Sequence, residues 1–371
     1  MPNPFPIITP RSTIPVYQPD LSGREREYVL DCIDTGWISS IGQYTDRFEQ
    51  SVKDYTGSGH AAAVSNGTVA LHLALHCLDI GPGDEVIVPA FTYIASVNTI
   101  AQTGATPVFV DSRSDDWLID VEDVRRKISP RTKAIMPVHL YGAICDMECL
   151  VDLARLHDLK IVEDCAEALG STLHGRHVGT FGDIGTFSFF GNKTVTTGEG
   201  GMVVAHDEAL AARLRKVKGQ GQSLERRYWH DELGFNYRMT NICAAIGVAQ
   251  MERIEATLNR KQEIAAIYRS HLQGSPVTFQ QPMEGVISSN WLVSILVPHT
   301  CNRDDVINRL LEQGIDSRPV FYCAHHMPMY RTMGSHPVAE DIAARGISLP
   351  SYPGLKDEDV IRIAQTVAAA I

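Results

Sequence analysis

Short apolar runs rich in β-branched residues alternate with helical patterns along the first 205 residues of the 371-residue chain. Six of these runs are interpreted as strands, at residues 85–89, 107–110, 133–138, 159–163, 186–190 and 202–205. Helical patterns lie between them, including residues 68–78 and 146–157. Strands that alternate with helices are typical of βαβ units. The pattern therefore predicts an α/β fold whose mostly parallel sheet is flanked by helices.

The pattern changes after residue 253. A long polar helical stretch, residues 251–272, leads into a region with fewer continuous apolar strands. We expect a large α/β domain over residues 1–253, including an N-terminal arm, and a smaller C-terminal α+β domain over residues 254–371. No internal repeat or long linker separates the two, so they are expected to pack against each other.

Charge and composition exclude several classes of partner. The 33 basic and 44 acidic residues give a net charge of −11, whereas nucleic-acid binding requires a basic surface. No apolar run is long enough to span a membrane, and the first residues lack the pattern of a signal peptide, so we expect a cytoplasmic protein without a membrane partner. The eight cysteines are scattered without metal-site spacing, so free thiols and no metal are expected.

The most informative segment is SFFGNKTVTTGEGG, residues 188–201. In it Lys193 follows an apolar run and precedes a glycine-rich turn. Lysine is strongly hydrated and usually lies on the surface, so taken alone a solvated loop lysine is the commoner interpretation. A lysine held among apolar neighbours loses its proton more easily, however, and can serve as an amine nucleophile or a base.

Asp164 is a candidate partner for this lysine. It follows the apolar run LKIVE, so its carboxylate is expected at the carboxyl edge of the sheet, where open α/β sheets bind ligands. Alone it could equally be a helix N-cap. Together, the two residues match the needs of pyridoxal phosphate (PLP), which binds a Schiff-base lysine and an acid that keeps its pyridine nitrogen protonated.

A third segment, SNGTVALHLAL at residues 65–75, suits a phosphate group. A small polar turn that opens directly into a helix presents backbone N–H groups and the positive end of the helix dipole. Ser65, Gly67 and Thr68 fit that role, although Thr68 also suits a plain N-cap. The chain has no P-loop motif and no G-x-G-x-x-G after a strand, which disfavours NTPase and dinucleotide sites.

Five segments carry a family resemblance, and they occur in the order SNGTVALHLAL, PAFTYIAS, VEDCAEALG, SFFGNKTVTTGEGG and GFNYRMTNICAAIGVAQMERI. Together they resemble the DegT/DnrJ/EryC1/StrS family of PLP-dependent sugar-nucleotide aminotransferases. The resemblance runs from TGWISSIGQY at residue 35 to GIDSRPVFY at residue 322. It implies a fold-type-I aminotransferase that forms a homodimer, in which the partner subunit completes each active site.

The resemblance also implies roles for residues at the cofactor. Lys193 binds the cofactor covalently, and Asp164 pairs with its pyridine nitrogen. Further contacts are expected from Gly67, Thr68 and Ser188 at the phosphate, from Tyr93 stacked on the ring, and from Asn236 at the phosphate of the neighbouring subunit's cofactor. Glu167 stands near the cofactor's 3-oxygen, where many relatives carry glutamine. A carboxylate there cannot donate a hydrogen bond unless it is protonated.

Four residues are expected at the substrate: Arg238, Trp37, Ser39 and His326. The guanidinium of Arg238 is suited to bidentate binding of a diphosphate, or it pairs with a carboxylate at the dimer interface. The segment TGWISS around Trp37 could instead be a packed turn. Of the adjacent His325 and His326, at least one is expected to be an ordinary surface or core histidine.

The implied reaction is ping-pong transfer of an amino group from L-glutamate to a keto sugar nucleotide. The segments FFGNKTVTTGEGG, RYWHDELGFNYRMTN and IDSRPVF are most similar to the branch of the family that acts on C4 of GDP-4-keto-6-deoxy-D-mannose, for surface polysaccharides such as O-antigen. Lys193 favours transamination, because the family's 3-dehydratases carry histidine there. Three alternatives stay open: a UDP- or dTDP-linked 3- or 4-keto sugar, a non-catalytic PLP-fold regulator, and a metal-dependent hydrolase or oxidoreductase.

Overall fold

The computed structural model describes residues 13–223, 225–331 and 334–371. The first twelve residues, including most of the N-terminal sequence weighed as a signal peptide, lie outside these ranges. The strands in chain order are β1 (His60–Val64), β2 (Glu85–Pro89), β3 (Thr106–Val110), β4 (Thr132–Ile135), β5 (Lys160–Asp164), β6 (Thr172–Leu173), β7 (Arg176–His177), β8 (Ile184–Ser188), β9 (Gly201–Ala205), β10 (Thr278–Phe279), β11 (Val286–Ile287), β12 (Val293–Leu296), β13 (Arg318–Pro319) and β14 (Gly346–Leu349).

The described α-helices are α1 (Glu25–Thr35), α2 (Gln43–Thr56), α3 (Gly67–Cys77), α4 (Ile94–Gln102), α5 (Val121–Lys127), α6 (Met147–His157), α7 (Glu208–Lys218), α8 (Asn241–Met251), α9 (Ile254–His271), α10 (Arg303–Glu312), α11 (Pro337–Arg345) and α12 (Asp357–Ala370). Short 3₁₀ turns occur at Leu140–Gly142 and Ala324–His326. In the part of the chain that the structure describes, no helix is both long and apolar enough to cross a membrane.

A seven-stranded sheet with the order β1-β9-β8-β5-β4-β2-β3 forms the centre of the fold. Strands β8, β5, β4, β2 and β3 are parallel neighbours, and β9 runs antiparallel to both β8 and β1. The mostly parallel sheet is thus confirmed. The six predicted strands correspond to β2, β3, β4, β5, β8 and β9; β2 has its predicted ends, and the other five are shifted at one or both ends. Strand β1 was missed because its sequence, HAAAV, contains three alanines of low β-propensity.

Burial on both faces explains why the central strands read as continuous apolar runs. Every residue of β2 and β9 is buried. Helix α3 packs on one face through its buried alanine, leucine and cysteine side chains, and its start is fixed by Asn66, whose side chain accepts a hydrogen bond from the Val69 N–H. Parallel strands covered on both sides bring the carboxyl ends of β5 and β8 to one edge, where the residues that follow can meet.

A second apolar core lies in the C-terminal part of the chain. Its sheet has the order β10-β12-β14-β13, and buried residues of α9, α10 and α12 pack with it, among them Tyr268, Leu310 and Ile363. The N-terminal segment returns to this region, because Ile14 pairs with Ile315. A small three-stranded sheet has the order β11-β6-β7. The predicted domain division between residues 253 and 254 stays a prediction.

Candidate active site

Asp164 ends β5 and is held firmly from two sides. Its Oδ2 accepts a hydrogen bond of 2.7 Å from the Ser96 hydroxyl, and its Oδ1 accepts one of 3.1 Å from the Ala166 N–H. Asp164 is only 5% exposed. Turns, and no helix, follow it in the chain, so it is not a helix N-cap. The carboxylate therefore has one fixed orientation at the carboxyl edge of the sheet.

Ser96 was not among the predicted site residues. It lies on α4, within the PAFTYIAS segment that was singled out for Tyr93. Tyr93 is the N-cap residue of this helix, and its carbonyl accepts a hydrogen bond from the Ser96 N–H. One helical turn thus carries both the buried hydroxyl that holds Asp164 and the 57% exposed ring of Tyr93. The three-residue spacing of Tyr93 and Ser96 within PAFTYIAS was the signal in the sequence that could have pointed to Ser96.

Lys193 lies on the turn that follows β8, and its amine is enclosed by an acid and an aromatic ring. Its Nζ is 3.6 Å from Oε1 of Glu167 and 4.0 Å from the centroid of the Trp291 ring. The side chain is 14% exposed. Burial lowers the pKa of Lys193 below its usual range, although the Glu167 carboxylate opposes this shift. The amine is therefore more easily deprotonated than that of a surface lysine.

Glu167 faces Lys193 from the turn after β5. Its Oε2 accepts a hydrogen bond of 3.0 Å from the Tyr141 N–H. Burial raises the pKa of Glu167 to about 7, while the nearby Lys193 ammonium acts in the opposite direction. Both protonation states of Glu167 are thus accessible near neutral pH, and the protonated form can donate a hydrogen bond.

The predicted phosphate site lies at the N-terminus of α3, against the end of β8. A Cβ on Gly67 would come within 2.8 Å of the Ser188 Cβ and 3.1 Å of its Oγ, so only glycine allows this close approach. Backbone pairing puts Val64 and Ser188 on either side of Gly201, which brings Ser65 to the same edge. The N–H groups of the first helical turn have no partner within the helix and favour an anion.

The residues present fit PLP. A lysine of lowered pKa, a fixed carboxylate on the adjacent parallel strand and a helix N-terminus beside a serine match the three chemical groups of that cofactor, namely its aldehyde, ring nitrogen and phosphate. The close approach of Gly67 to Ser188 brings the N-terminus of α3 beside the Ser188 hydroxyl, and both can offer hydrogen-bond donors to a phosphate. Thr68 is exposed at the start of the same helix.

Trp37 and Ser39 lie on an exposed stretch between α1 and α2. Their backbone carbonyls are held by Asn241, whose Nδ2 donates to Trp37 at 2.7 Å and whose N–H donates to Ser39 at 2.6 Å. The side chain of Trp37 is left outside and lines a surface pocket of about 600 Å³ together with Asp31 and Asn241. This stretch is therefore a fixed turn that presents an exposed aromatic ring.

The other predicted substrate and phosphate residues are exposed as well. Arg238 forms a backbone bridge with Val64 and so lies next to the phosphate turn, while Asn236 forms one with Gly219. His326 lies 3.8 Å from Glu340. In the described ranges, no hydrogen bond or ion pair joins the side chains of Trp37, Ser39, Asn236, Arg238 or His326 to Lys193.

Trp291 and Tyr141 are further residues of the site that the sequence analysis missed. The Trp291 indole Nε1 donates to the carbonyl of Asn192 at 2.7 Å, and the ring stacks on Tyr141 with an interplanar angle of 9°. Tyr141 has a positive φ of 58°, which is uncommon for a residue other than glycine. Neither feature has a local sequence signal, because both depend on chain segments distant from Lys193.

Comparisons with known proteins agree with this geometry. The model of the DegT/DnrJ/EryC1/StrS aminotransferase family matches residues 19–368. GDP-perosamine synthase of Escherichia coli O157:H7 is 54% identical over 355 residues, covering 95% of this chain and 97% of that one. GDP-perosamine synthase of Vibrio cholerae is 50% identical over 359 residues, covering 95% and 98%.

A solved structure extends the likeness to the fold and the cofactor. Spr1654, a proposed sugar aminotransferase from Streptococcus pneumoniae, was determined in its PLP form. It superposes with a TM-score of 0.91 at 31% identity, and the match covers 96% of this chain and 98% of that one. The fold-type-I prediction is thereby confirmed.

Proposed function

Because this chain belongs to the DegT/DnrJ/EryC1/StrS aminotransferase family of PLP-dependent enzymes, we propose that it makes GDP-perosamine. The amino group comes from L-glutamate and is added at C4 of GDP-4-keto-6-deoxy-D-mannose. The identities of 54% and 50% to two GDP-perosamine synthases, over nearly the full length of all three chains, support this choice of acceptor. Family membership overturns the non-catalytic and metal-dependent alternatives.

The observation that carries the proposal is the enclosure of the Lys193 amine beside Glu167 and Trp291, one strand away from the fixed carboxylate of Asp164. When bound, PLP supplies a ring that accepts the electrons released at the Cα of the amino donor. Lys193 holds the cofactor, and once released its amine takes the Cα proton and later returns it. Its lowered pKa favours the neutral amine that this step requires.

The other residues at the cofactor either bind it or hold a cofactor-binding side chain in place. Asp164 keeps a proton on the ring nitrogen, and the Ser96 hydroxyl keeps Asp164 in place. With PLP bound, Glu167 would lie near the 3-oxygen and Tyr93 would stack on the ring. The phosphate is bound by residues around the start of α3 and the end of β8: Ser65, Gly67, Thr68 and Ser188.

The active site is shared between two copies of this chain. Asn236 and Arg238 present exposed polar side chains close to the phosphate turn, where they can reach across to a second subunit. Exposed apolar side chains on the stretch before α2 support a homodimer, since Trp37, Ile38 and Ile41 are each more than half exposed. Substrate contacts come from Arg238, Trp37, Ser39 and His326.

The enzyme works in the cytoplasm, and its partners are small molecules. All eight cysteines are free, which suits a reducing compartment. The net charge of −11 argues against nucleic acid as a partner. The sugar nucleotide serves surface-polysaccharide synthesis, including O-antigen.

A single half-reaction tests the proposed acceptor. The purified holoenzyme is converted to its pyridoxamine form with L-glutamate, and the excess donor is removed. GDP-4-keto-6-deoxy-D-mannose or a UDP- or dTDP-linked keto sugar is then added separately, and the absorbance of the original cofactor form is followed. Rapid recovery with the GDP sugar alone is the expected result. Recovery only with another nucleotide sugar would retain the aminotransferase and overturn GDP-perosamine as its product.

A further inference from the structure

A buried lysine lies behind the active site and has no role in the reaction described above. Lys261, on α9, is 1% exposed. Its Nζ donates hydrogen bonds to the carbonyls of Trp291 at 2.9 Å and Ser351 at 3.1 Å. No carboxylate of the described residues forms an ion pair with it, and burial lowers the pKa of Lys261 to about 7. Burial of an unpaired cation is costly, which indicates a role beyond filling space.

One partner of Lys261 contacts the loop of the cofactor lysine. The Trp291 carbonyl accepts from Lys261, and the indole Nε1 of the same residue donates to the Asn192 carbonyl at 2.7 Å. The Trp291 ring also lies 4.0 Å from Lys193 Nζ. The backbone of Trp291 is thus fixed by one lysine, while its side chain contacts two consecutive residues of the loop that carries the other.

A second aromatic residue makes the same connection. The Tyr17 hydroxyl donates to the Lys193 carbonyl at 2.5 Å, and Lys261 Nζ lies 5.3 Å from the centroid of the Tyr17 ring. Tyr17 belongs to the N-terminal segment, whereas Trp291 precedes β12. Two residues from distant parts of the chain therefore hold the Asn192 and Lys193 carbonyls, and the Lys261 amine is close to both of these residues.

We propose that Lys261 is a positioning residue for Lys193, which acts by joining Tyr17 and Trp291. Removal of its ammonium leaves the Trp291 and Ser351 carbonyls without their buried donor, so the Trp291 ring loses its fixed place beside the Lys193 amine. Small displacements at a reacting group have large effects on rate. This inference rests on the proposed role of Lys193 in binding the cofactor.

Trp291 also connects to Glu167, the carboxyl group that faces Lys193. Trp291 stacks on Tyr141, and the Tyr141 N–H donates to Glu167, the carboxyl that faces Lys193. The charged groups near the Lys193 amine are Glu167 and Asp164. Asp164 ends β5 and Glu167 lies on the turn after it, whereas Lys261 contacts the backbone carbonyl of Trp291. A change at Lys261 therefore reaches Lys193 through the aromatic pair and not through a direct charge contact.

The test compares two substitutions on one helix in the holoenzyme. Lys261→Met removes the ammonium and keeps a similar length. Arg260→Met is the matched control, because Arg260 also donates to backbone and carboxylate oxygens of the C-terminal segment, at Leu355 and Asp357. Three quantities are measured: the pH midpoint of the absorbance of the lysine-bound cofactor, the rate at which borohydride traps the cofactor on Lys193, and the thermal unfolding temperature.

We expect Lys261→Met to lower the pH midpoint by about 0.5 unit or more, since the displaced Trp291 ring no longer stabilises positive charge at the Lys193 nitrogen. The trapping rate should fall at least about threefold in parallel. Arg260→Met should leave the pH midpoint and the trapping rate at their wild-type values. Equal losses of unfolding temperature in the two variants, with wild-type midpoint and trapping in both, would overturn the proposal.

Two further measurements separate the possible failures. If Lys261→Met does not fold, Tyr17→Phe takes its place in the test. This variant lacks the hydrogen bond to the Lys193 carbonyl, so its trapping rate should also fall. A wild-type trapping rate in Tyr17→Phe would contradict the inference. Peptide mapping of the trapped wild-type enzyme tests the premise. Cofactor attached elsewhere than Lys193 would overturn the proposed function itself, whereas attachment at Lys193 with unaffected variants would overturn only the role of Lys261.

Discussion

Asp164 and Glu167 are each 5% exposed and accept hydrogen bonds from their own chain, whereas Trp37 is 55% exposed and the side chain of His326 is 58% exposed. These two carboxyl groups at the cofactor end are therefore held in place by their own chain, because buried polar groups must find hydrogen-bond partners where they lie. The substrate end presents exposed side chains, whose partners come from a ligand or a second subunit. The two ends should consequently respond differently to substitution.

The largest loss is expected at the cofactor end, from Lys193→Ala. Removal of the amine deletes both the covalent attachment and the base, so turnover should fall by at least about 10⁴-fold. The fold should persist, since the side chain is partly solvent-accessible and lies on a turn. Steady-state turnover and far-UV circular dichroism check the two parts. Repeated turnover by this variant would sink the assignment of Lys193.

Asp164→Asn should produce the next largest effect. Asparagine keeps an acceptor for Ser96 and Ala166 but carries no negative charge to hold the ring proton. We expect the rate of the half-reaction with L-glutamate to fall about 10²- to 10³-fold, the scale seen when one preorganised electrostatic group is lost. Stopped-flow absorbance measures this rate. A wild-type value would exclude the ring-nitrogen role of Asp164.

Much of the fold could be predicted because periodic patterns are local. The central strands are buried on both faces, so each reads as a short apolar run, and β2 was predicted with its observed ends. Strand β1 escaped because its alanines have little strand preference and its burial is imposed by β9 and neighbouring helices. Tertiary contacts, and not local strand preference, make β1 a strand.

The site divides in the same way. Lys193, Asp164 and Gly67 stand in segments whose motifs are continuous in the chain, so their sequence alone indicated their chemistry. Ser96 lies within the PAFTYIAS segment, but its partner Asp164 is 68 residues away, so the segment does not show what Ser96 contacts. Trp291 is about 100 residues from Lys193, and no local pattern marks it. Contacts between segments that are distant in the sequence form only on folding, so a local motif does not show them. This explains why the supporting residues of the cofactor end were missed.

A smaller loss is expected from Asn236→Ala, at the exposed residue that is proposed to bind the phosphate of the neighbouring subunit's cofactor. Loss of a hydrogen bond to a charged phosphate costs about 1.5–3 kcal/mol, so activity should fall roughly 10- to 150-fold. Since the side chain is exposed, the unfolding temperature should stay within about 2 °C of the wild type. Activity assays and thermal unfolding measure both effects.

Mixing this variant with Lys193→Ala tests whether the site is shared. If Asn236 serves the neighbouring subunit, a hybrid dimer has one intact site, and random mixing should recover about a quarter of the wild-type activity. Unfolding and refolding the two variants together produces the hybrids, and each variant refolded alone is the control. Activity no higher than the average of the two controls would show that each chain supplies its own Asn236.

The smallest effect on turnover is expected from Glu167→Gln, because glutamine keeps the shape of the side chain and can donate a hydrogen bond as the protonated carboxyl does. Its consequence appears in the pH dependence of stability. The pKa of Glu167 is raised from 4.5 to about 7 in the folded, cofactor-free protein. Its contribution to stability is therefore fully present below pH 4.5 and is lost as the pH rises through 7, by an amount on the order of 3 kcal/mol.

Glutamine has no proton to lose, so Glu167→Gln should remove this decline. The free energy of unfolding of the cofactor-free wild type, relative to the variant, should fall between pH 4.5 and 7 and then level off. Urea denaturation at several pH values measures the difference. Parallel pH profiles would mean that Glu167 is ionised at its ordinary pKa, and that the cofactor end is less effectively shielded from water than its burial indicates.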